Sequence, residues 1–209
     1  MATLKMYAPM GIIALVVLSL ASCDLDELRP IDYQTVAQDA GLVDQLSGDL
    51  FETVDDESRN GQYSDDVGKR SGQSATTCAS ITFDNNSGNW PKTLTLDFGS
   101  GCTDTFGVER KGILTLVYSD NYVDSGATVT VTPTNYFVNG YQLEGVKTIT
   151  NAGRNSDGNL TFQNNDSNGI ITKPDGGQIT WESTYTSEWV SGEGTFNFCD
   201  DVYLLEGVV

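Results

Sequence analysis

The residue types that could do chemistry in this chain are carboxylates, because 29 aspartates and glutamates stand against 11 lysines and arginines. The chain contains no histidine. This excludes Ser-His-Asp and Cys-His catalysis and every metal site with a histidine ligand. Glycoside hydrolases use a pair of carboxylates, so a histidine-free hydrolase stays as one alternative. Spacing singles out no catalytic pair among so many acids, and we therefore expect no enzymatic activity.

Several acidic or amide-rich clusters could offer oxygen ligands to calcium, which prefers such ligands. None of them follows the alternating acidic loop that ends in a glutamate. Asx turns and a solvated acidic surface are the simpler interpretation, so we expect no metal and no other cofactor. The net charge of −18 would also repel nucleic acid, which we exclude as a partner. The clusters are 55–57, Asp65-Asp66, 155–159, 164–166 and Asp200-Asp201.

Three aromatic residues alternate along the segment 178–191, which reads as one long strand. Trp181, Tyr185 and Trp189 fall on the same face of that strand, with rings about 13 Å apart at the usual rise per residue. Such a row could stack on the sugar rings of an extended glycan, which makes a carbohydrate-binding lipoprotein the second alternative. We favour the simpler interpretation, in which this face belongs to the core or packs under a helix.

The segment Leu20-Ala21-Ser22-Cys23 is typical of a bacterial lipoprotein cleavage site. It follows one cation, Lys5, and an apolar run over 10–18 that is too short to span a bilayer. We therefore predict a signal peptide over 1–22 and a mature protein that begins with a lipidated Cys23. Two or three acyl chains, such as palmitate, would anchor it durably to a membrane. A plain secretory signal with Cys23 as a disulfide partner is the alternative.

Asp24, Asp26 and Glu27 directly follow the lipidation site. This acidic cluster resembles a surface-export signal of Bacteroidota lipoproteins, which implies an outer-membrane protein at the cell surface. A periplasm-facing protein, with these residues as a solvated tether, is the alternative. Partners would then be the membrane, through Cys23, and either a glycan or another envelope protein.

Three cysteines remain after Cys23, an odd number for an oxidising compartment. Cys78 and Cys102 stand at the outer ends of two segments that should pair as a hairpin, so we predict a disulfide between them. Cys199 is then left over. The apolar stretch 204–209 reads as the first part of a strand, so we expect the β domain to be truncated and the partner of Cys199 to lie beyond it. A buried free thiol is the alternative.

The elements that must position these residues are one helix and a series of strands. Apolar residues recur at three- and four-residue steps over 35–57, which predicts an amphipathic helix, after an acidic tether over 23–34. Residues 58–77 are polar and rich in glycine and serine, and they read as a flexible linker. From Cys78 the apolar period changes to two, as in Leu94, Leu96 and Phe98.

Dense turn dipeptides separate these alternating segments, among them Asn139-Gly140 and Asn168-Gly169. No helical pattern lies between the strands, so parallel pairing is not expected. The fold class is therefore all-β: an antiparallel meander of about eight to nine long strands over 78–209, as an open curled sheet or a sandwich-like arrangement, preceded by one helix. The predicted strands are 78–84, 92–99, 110–123, 127–138, 141–151, 159–165, 169–173 and 178–191, with a ninth from Val202.

The segment Trp90–Cys102, WPKTLTLDFGSGC, resembles a signature of Bacteroidota lipoproteins to which no activity is assigned. Similarity continues through 110–112, 135–140, 143–145, 179–181 and 200–203, which covers most of the mature chain. The resemblance implies the envelope localisation and the β architecture. It implies no catalytic residue, cofactor or substrate.

Overall fold

The computed structural model describes residues 33–62, 71–73, 77–84, 89–193 and 200–208, and Gln34–Val209 forms one compact unit. The predicted signal peptide and residues 23–32 of the predicted tether, with Cys23, Asp24, Asp26 and Glu27, lie outside the described residues, as does Cys199. The last two residues of the predicted tether, Tyr33 and Gln34, are helical. Among the described residues, no helix is both long and apolar enough to cross a bilayer.

Helix α1 covers Tyr33–Gln62, so it begins earlier and ends later than the predicted 35–57. Its apolar stripe is buried from Val43 to Val54, whereas Val36 is 55% exposed. The helix continues past Glu57 because Arg59 pairs with two acids one turn earlier, Asp55 and Asp56. The first residues of the predicted linker are therefore helical.

The strands form one open antiparallel sheet, which confirms the predicted meander. The strands are β1 Ser71–Gln73, β2 Ser80–Asp84, β3 Lys92–Asp97, β4 Cys102–Thr103, β5 Glu109–Tyr118, β6 Thr128–Val138, β7 Tyr141–Arg154, β8 Leu160–Thr172, β9 Gln178–Ser191 and β10 Val202–Val208. Neighbouring strands in the sheet follow the chain order, except that the short β4 pairs only with β5. The edges of the described sheet are β1 and β10.

The predicted turn at Asn168-Gly169 is wrong, because segments 159–165 and 169–173 belong to one strand, β8. Asn168 does have a positive φ of 53°, but this conformation serves a β-bulge at which the register with β9 shifts between Asp166 and Gly169. Gly169 lies against the ring of Trp181, where an added Cβ would come within 2.4 Å. The dipeptide thus allows a close approach of β9 inside the sheet.

Other boundaries also differ from the predicted ones. β5 ends at Tyr118 instead of 123, because 119–127 form a loop in which Ala127 donates to the carbonyl of Asp124. β1 lies in the segment predicted to be a linker, and it pairs with β2 at the edge of the sheet. The predicted ninth strand from Val202 is confirmed as β10, which pairs with β9.

One face of the sheet packs against α1 and forms the core. Alternating residues of the strands point to this face, as the period of two predicts. The core side chains include those of Val43, Leu46, Leu50, Phe51 and Val54 from the helix, and those of Leu94, Leu96, Leu114, Leu116, Val129, Val131, Ile149, Phe162 and Ile171 from the sheet.

The disulfide between Cys78 and Cys102 is present as predicted, with 24 residues of sequence separation. It closes the outer end of the β2–β3 hairpin, in which Ser80 pairs with Asp97. On the chain-entropy model, a loop of this length contributes about 3 kcal/mol by restricting the unfolded chain.

Replacing both Cys78 and Cys102 with alanine is therefore expected to lower the free energy of unfolding by about 3 kcal/mol. Urea unfolding of the oxidised wild type and the double variant measures this difference. A loss below about 1 kcal/mol would contradict a stabilising role for this bridge.

Candidate functional site

A lysine–aspartate pair lies buried between α1 and the middle of the sheet. Lys147 on β7 is 1% exposed and Asp166 on β8 is 4% exposed. The ammonium nitrogen lies 3.1 Å from both carboxylate oxygens. Lys147 also donates to Ser47 Oγ on the helix and to the Tyr185 hydroxyl on β9, each at 2.9 Å. The ammonium group of Lys147 therefore connects β7 to α1, β8 and β9.

The carboxylate of Asp166 is satisfied on several sides. Its Oδ2 accepts hydrogen bonds from Ser47 at 2.8 Å and from Ser183 at 2.5 Å, besides its contact with Lys147. These bonds offset much of the cost of removing both charges from water. The network, which we call the lysine cluster, consists of Ser47, Lys147, Asp166, Ser183 and Tyr185.

A second buried cluster lies nearer the end of α1, around Asp55, which is fully buried. Its two oxygens accept from the hydroxyls of Tyr122 at 2.7 Å and Tyr203 at 2.8 Å. Arg59 Nε lies 2.9 Å from Asp55, and its Nη2 lies 2.6 Å from Asp201. Burial raises the pKa of Asp55, while Arg59 and the two tyrosines act to lower it.

Asp55, Asp56 and Asp201 each bring an oxygen within 4.8 Å of the others, a spacing that could hold a metal ion. The guanidinium of Arg59 contacts all three carboxylates. It also lies over the Trp189 ring, 4.5 Å from the centroid. Arg59 thus supplies the positive charge that a cation would otherwise bring. We call this group the arginine cluster: Asp55, Asp56, Arg59 and Asp201, with Tyr122 and Tyr203.

A third ion pair ties α1 to the start of β5. Arg110 contacts both oxygens of Asp49 through two nitrogens, each at 2.6 Å. It also donates to the hydroxyl of Tyr136 at 2.9 Å. Fork-to-fork pairs of this kind are among the stronger charge-assisted contacts in proteins. With the lysine and arginine clusters and the more exposed pair between Asp39 and Lys173, four charged contacts therefore link α1 to the sheet or to segments beside it.

Asp56 is expected to make the protein less stable as the pH rises. Burial, followed by the charge of Asp55, raises the pKa of Asp56 from its ordinary 3.8 to about 7. A carboxyl group whose pKa is raised on folding contributes stability that is fully present below pH 3.8. This contribution is lost as the pH rises from there through about 7. Asp56→Asn should therefore stabilise the protein at pH 8, by ~1–3 kcal/mol, and change little at pH 4.

Urea unfolding at the two pH values tests this expectation. The asparagine amide can still accept from Arg59, so the variant removes charge without removing the contact. Equal effects at pH 4 and pH 8 would show that Asp56 does not titrate in this range.

The row of rings on β9 faces the helix and not the solvent. Tyr185 and Trp189 are buried, Trp181 is half-buried, and the serines between them are also buried. Trp189 stacks on Tyr203, with ring centroids 5.5 Å apart. An open platform for an extended glycan is therefore wrong, because α1 packs over this face and the Tyr203 side chain of the neighbouring strand stacks on Trp189. The core interpretation that we favoured from the sequence describes these rings.

The acidic clusters 55–57 and Asp200-Asp201 were misread as solvated surface, because Asp55 and Asp201 are paired inside the protein. The doublet Asp65-Asp66 lies outside the described residues. The lysine cluster was missed as a group. A signal for it exists in the alternation of β7, where Lys147 shares the inward face with Leu143 and Ile149. Its partner Asp166 on β8 also lies at an inward position, because it is separated from the buried Phe162 by an even number of residues.

A cavity of about 300 Å³ adjoins the lysine cluster between α1, β9 and the edge strand β10. Its walls are formed by Asp44, Ser47, Gly48, Tyr185, Leu205 and Gly207. A second cavity, of about 280 Å³, adjoins the arginine cluster beside Phe106. Both openings therefore lie next to buried charges.

The role of these two clusters has to be inferred from their contacts and burial in this chain. Among protein-family models, curated proteins and solved structures, none matches the chain.

Proposed function

We propose that this protein is a lipid-anchored envelope protein whose β domain has a binding or structural role and performs no catalysis. The anchor is Cys23, which lies ten residues before the first residue of α1. A tether of that length keeps the folded domain close to the membrane surface. The charge of −18 favours a soluble domain that stays off anionic headgroups.

The observation that carries this proposal is the use of the buried charges. Arg59 and Arg110 join α1 to the segment before β10 and to β5 through carboxylates, and Lys147, paired with Asp166 on the sheet, reaches α1 through the hydroxyl of Ser47. Groups held in this way hold the helix in place. They are poorly suited to exchange protons with a substrate, which requires hydrogen-bond access to the reacting atom.

A glycoside hydrolase is the competing function, and the cavity beside Asp56 is the observation that favours it. The pKa of about 7 for Asp56 would suit a general acid. Such an enzyme also needs a second carboxylate that faces the sugar. Of the four carboxylates that line this cavity, Asp55, Asp56 and Asp201 are all held by Arg59, which leaves Glu52 to face a sugar, so the binding or structural role is better supported.

We place the protein at the outer membrane, with surface display directed by Asp24, Asp26 and Glu27. Two acyl chains on Cys23 suffice for durable attachment, whereas a single chain binds only marginally.

Replacing Cys23 with alanine is expected to release the protein from the membrane fraction and to block its normal processing. Cell fractionation and the mass of the N-terminal peptide measure both effects. Cys199→Ala makes the same substitution at a cysteine far from the proposed cleavage site, so it is the matched control and should leave attachment intact. Membrane attachment of the Cys23→Ala protein, with a normally processed N-terminus, would refute the anchor.

A further inference from the structure

We propose that the cavity between α1 and β10 binds a single neutral sugar ring. This inference deepens the binding role proposed above and does not depend on the anchor at Cys23. The cavity of about 300 Å³ is at the small end of the range for small-molecule sites, which suits one monosaccharide unit.

The cavity exists because α1 covers β10 along only part of its length. At Tyr203 the helix packs closely, through Phe51, with ring centroids 5.3 Å apart. Leu205 lies two residues after Tyr203, so its side chain points to the same face of the sheet, and it pairs with the buried Ser187. It is nevertheless 60% exposed. Gly48 on the helix leaves open space, since an added Cβ would meet nothing within 4 Å.

Two members of the lysine cluster, Ser47 and Tyr185, line this cavity. Lys147 donates to the Tyr185 oxygen at 2.9 Å, so the tyrosine must give its own proton to another acceptor. Among the described contacts, Ser47 Oγ is the acceptor that it reaches, at 3.5 Å, the limit of a hydrogen bond. The positive charge of Lys147 makes this hydroxyl a stronger donor.

The remaining walls define the chemistry of the ligand. Asp44 is exposed at the rim and offers a carboxylate that accepts from hydroxyl groups. Leu205 presents an apolar side chain. A sugar ring offers oxygens that accept from Tyr185, hydroxyls that donate to Asp44 and an apolar C–H face for Leu205. Asp44 and the charge of −18 disfavour anionic ligands.

The test is titration of the purified full-length protein with methyl glycosides of glucose, galactose, mannose and N-acetylglucosamine, followed by saturation-transfer NMR and calorimetry. We expect binding of at least one of them in the millimolar range. Tyr185→Phe removes only the hydroxyl and should weaken binding about tenfold. Gly48→Leu fills the cavity from the helix side and should abolish binding.

Gly41→Leu is the matched control, because Gly41 is a second α1 glycine beside which an added Cβ meets nothing, and it does not line the cavity. It should bind as the wild type does. Absence of binding for every glycoside, or unchanged binding by Gly48→Leu, would overturn the inference. The fractionation of Cys23→Ala reports separately on the anchor, so the two failures are distinguishable.

Discussion

Lys147→Met is expected to lower the free energy of unfolding by about 3–5 kcal/mol, because it leaves the carboxylate of Asp166 buried without its cation. Methionine has a similar length, so the change removes charge with little change in packing. Ser47 and Ser183 would still donate to Asp166, but neutral donors do not replace a charge. Urea unfolding at pH 7 measures the loss.

The double variant Lys147→Met/Asp166→Leu is the informative companion. Removing both charges avoids the uncompensated carboxylate, so part of the lost stability should return. The surface variant Arg154→Gln is the control, since its ion pair with Glu193 is largely exposed and should contribute no measurable stability. A Lys147→Met protein as stable as this control would contradict a stabilising role for the lysine cluster.

Arg59→Leu is also expected to lower the free energy of unfolding by about 3–5 kcal/mol at pH 8. It removes the cation that contacts Asp55, Asp56 and Asp201. Arg59 lowers the pKa values of Asp55 and Asp56, so without it both values rise further. These carboxylates can then take up protons as the pH falls, and the loss should be smaller at pH 5 than at pH 8.

Thermal or urea unfolding at the two pH values separates this expectation from a packing effect. Arg59 also lies over the ring of Trp189, and loss of that contact would cost the same at both pH values. A loss that does not depend on pH would therefore contradict the electrostatic role.

The sheet was largely predictable because its pattern is local. Alternation in segments such as 92–99 and 127–138 predicted strands, and the short segment between β2 and β3 predicted the hairpin that brings Cys78 to Cys102. The bulge at Asn168 was not predictable in this way, because a positive φ suits both a turn and a bulge. Only the pairing with β9 separates the two.

The buried clusters were not predictable, because the residues that pair with each buried charge are distant from it in the sequence. Asp55 stands beside Asp56 and reads as a solvated doublet, while its partner Tyr203 lies 148 residues away. Lys147 likewise meets Ser47 across 100 residues. A charge at an inward position indicates that a partner must exist, but the pairing of strands decides which residue supplies it.

The central claim is that buried charges hold α1 against the sheet, and hydrogen exchange of the α1 amides tests it most directly. Wild type, Lys147→Met, Arg59→Leu and Arg154→Gln would be compared by mass spectrometry under native conditions. We predict that protection of the buried part of α1, from Val43 to Arg59, falls in the first two variants, while Arg154→Gln matches the wild type. Unchanged protection of α1 in Lys147→Met and Arg59→Leu would contradict the claim.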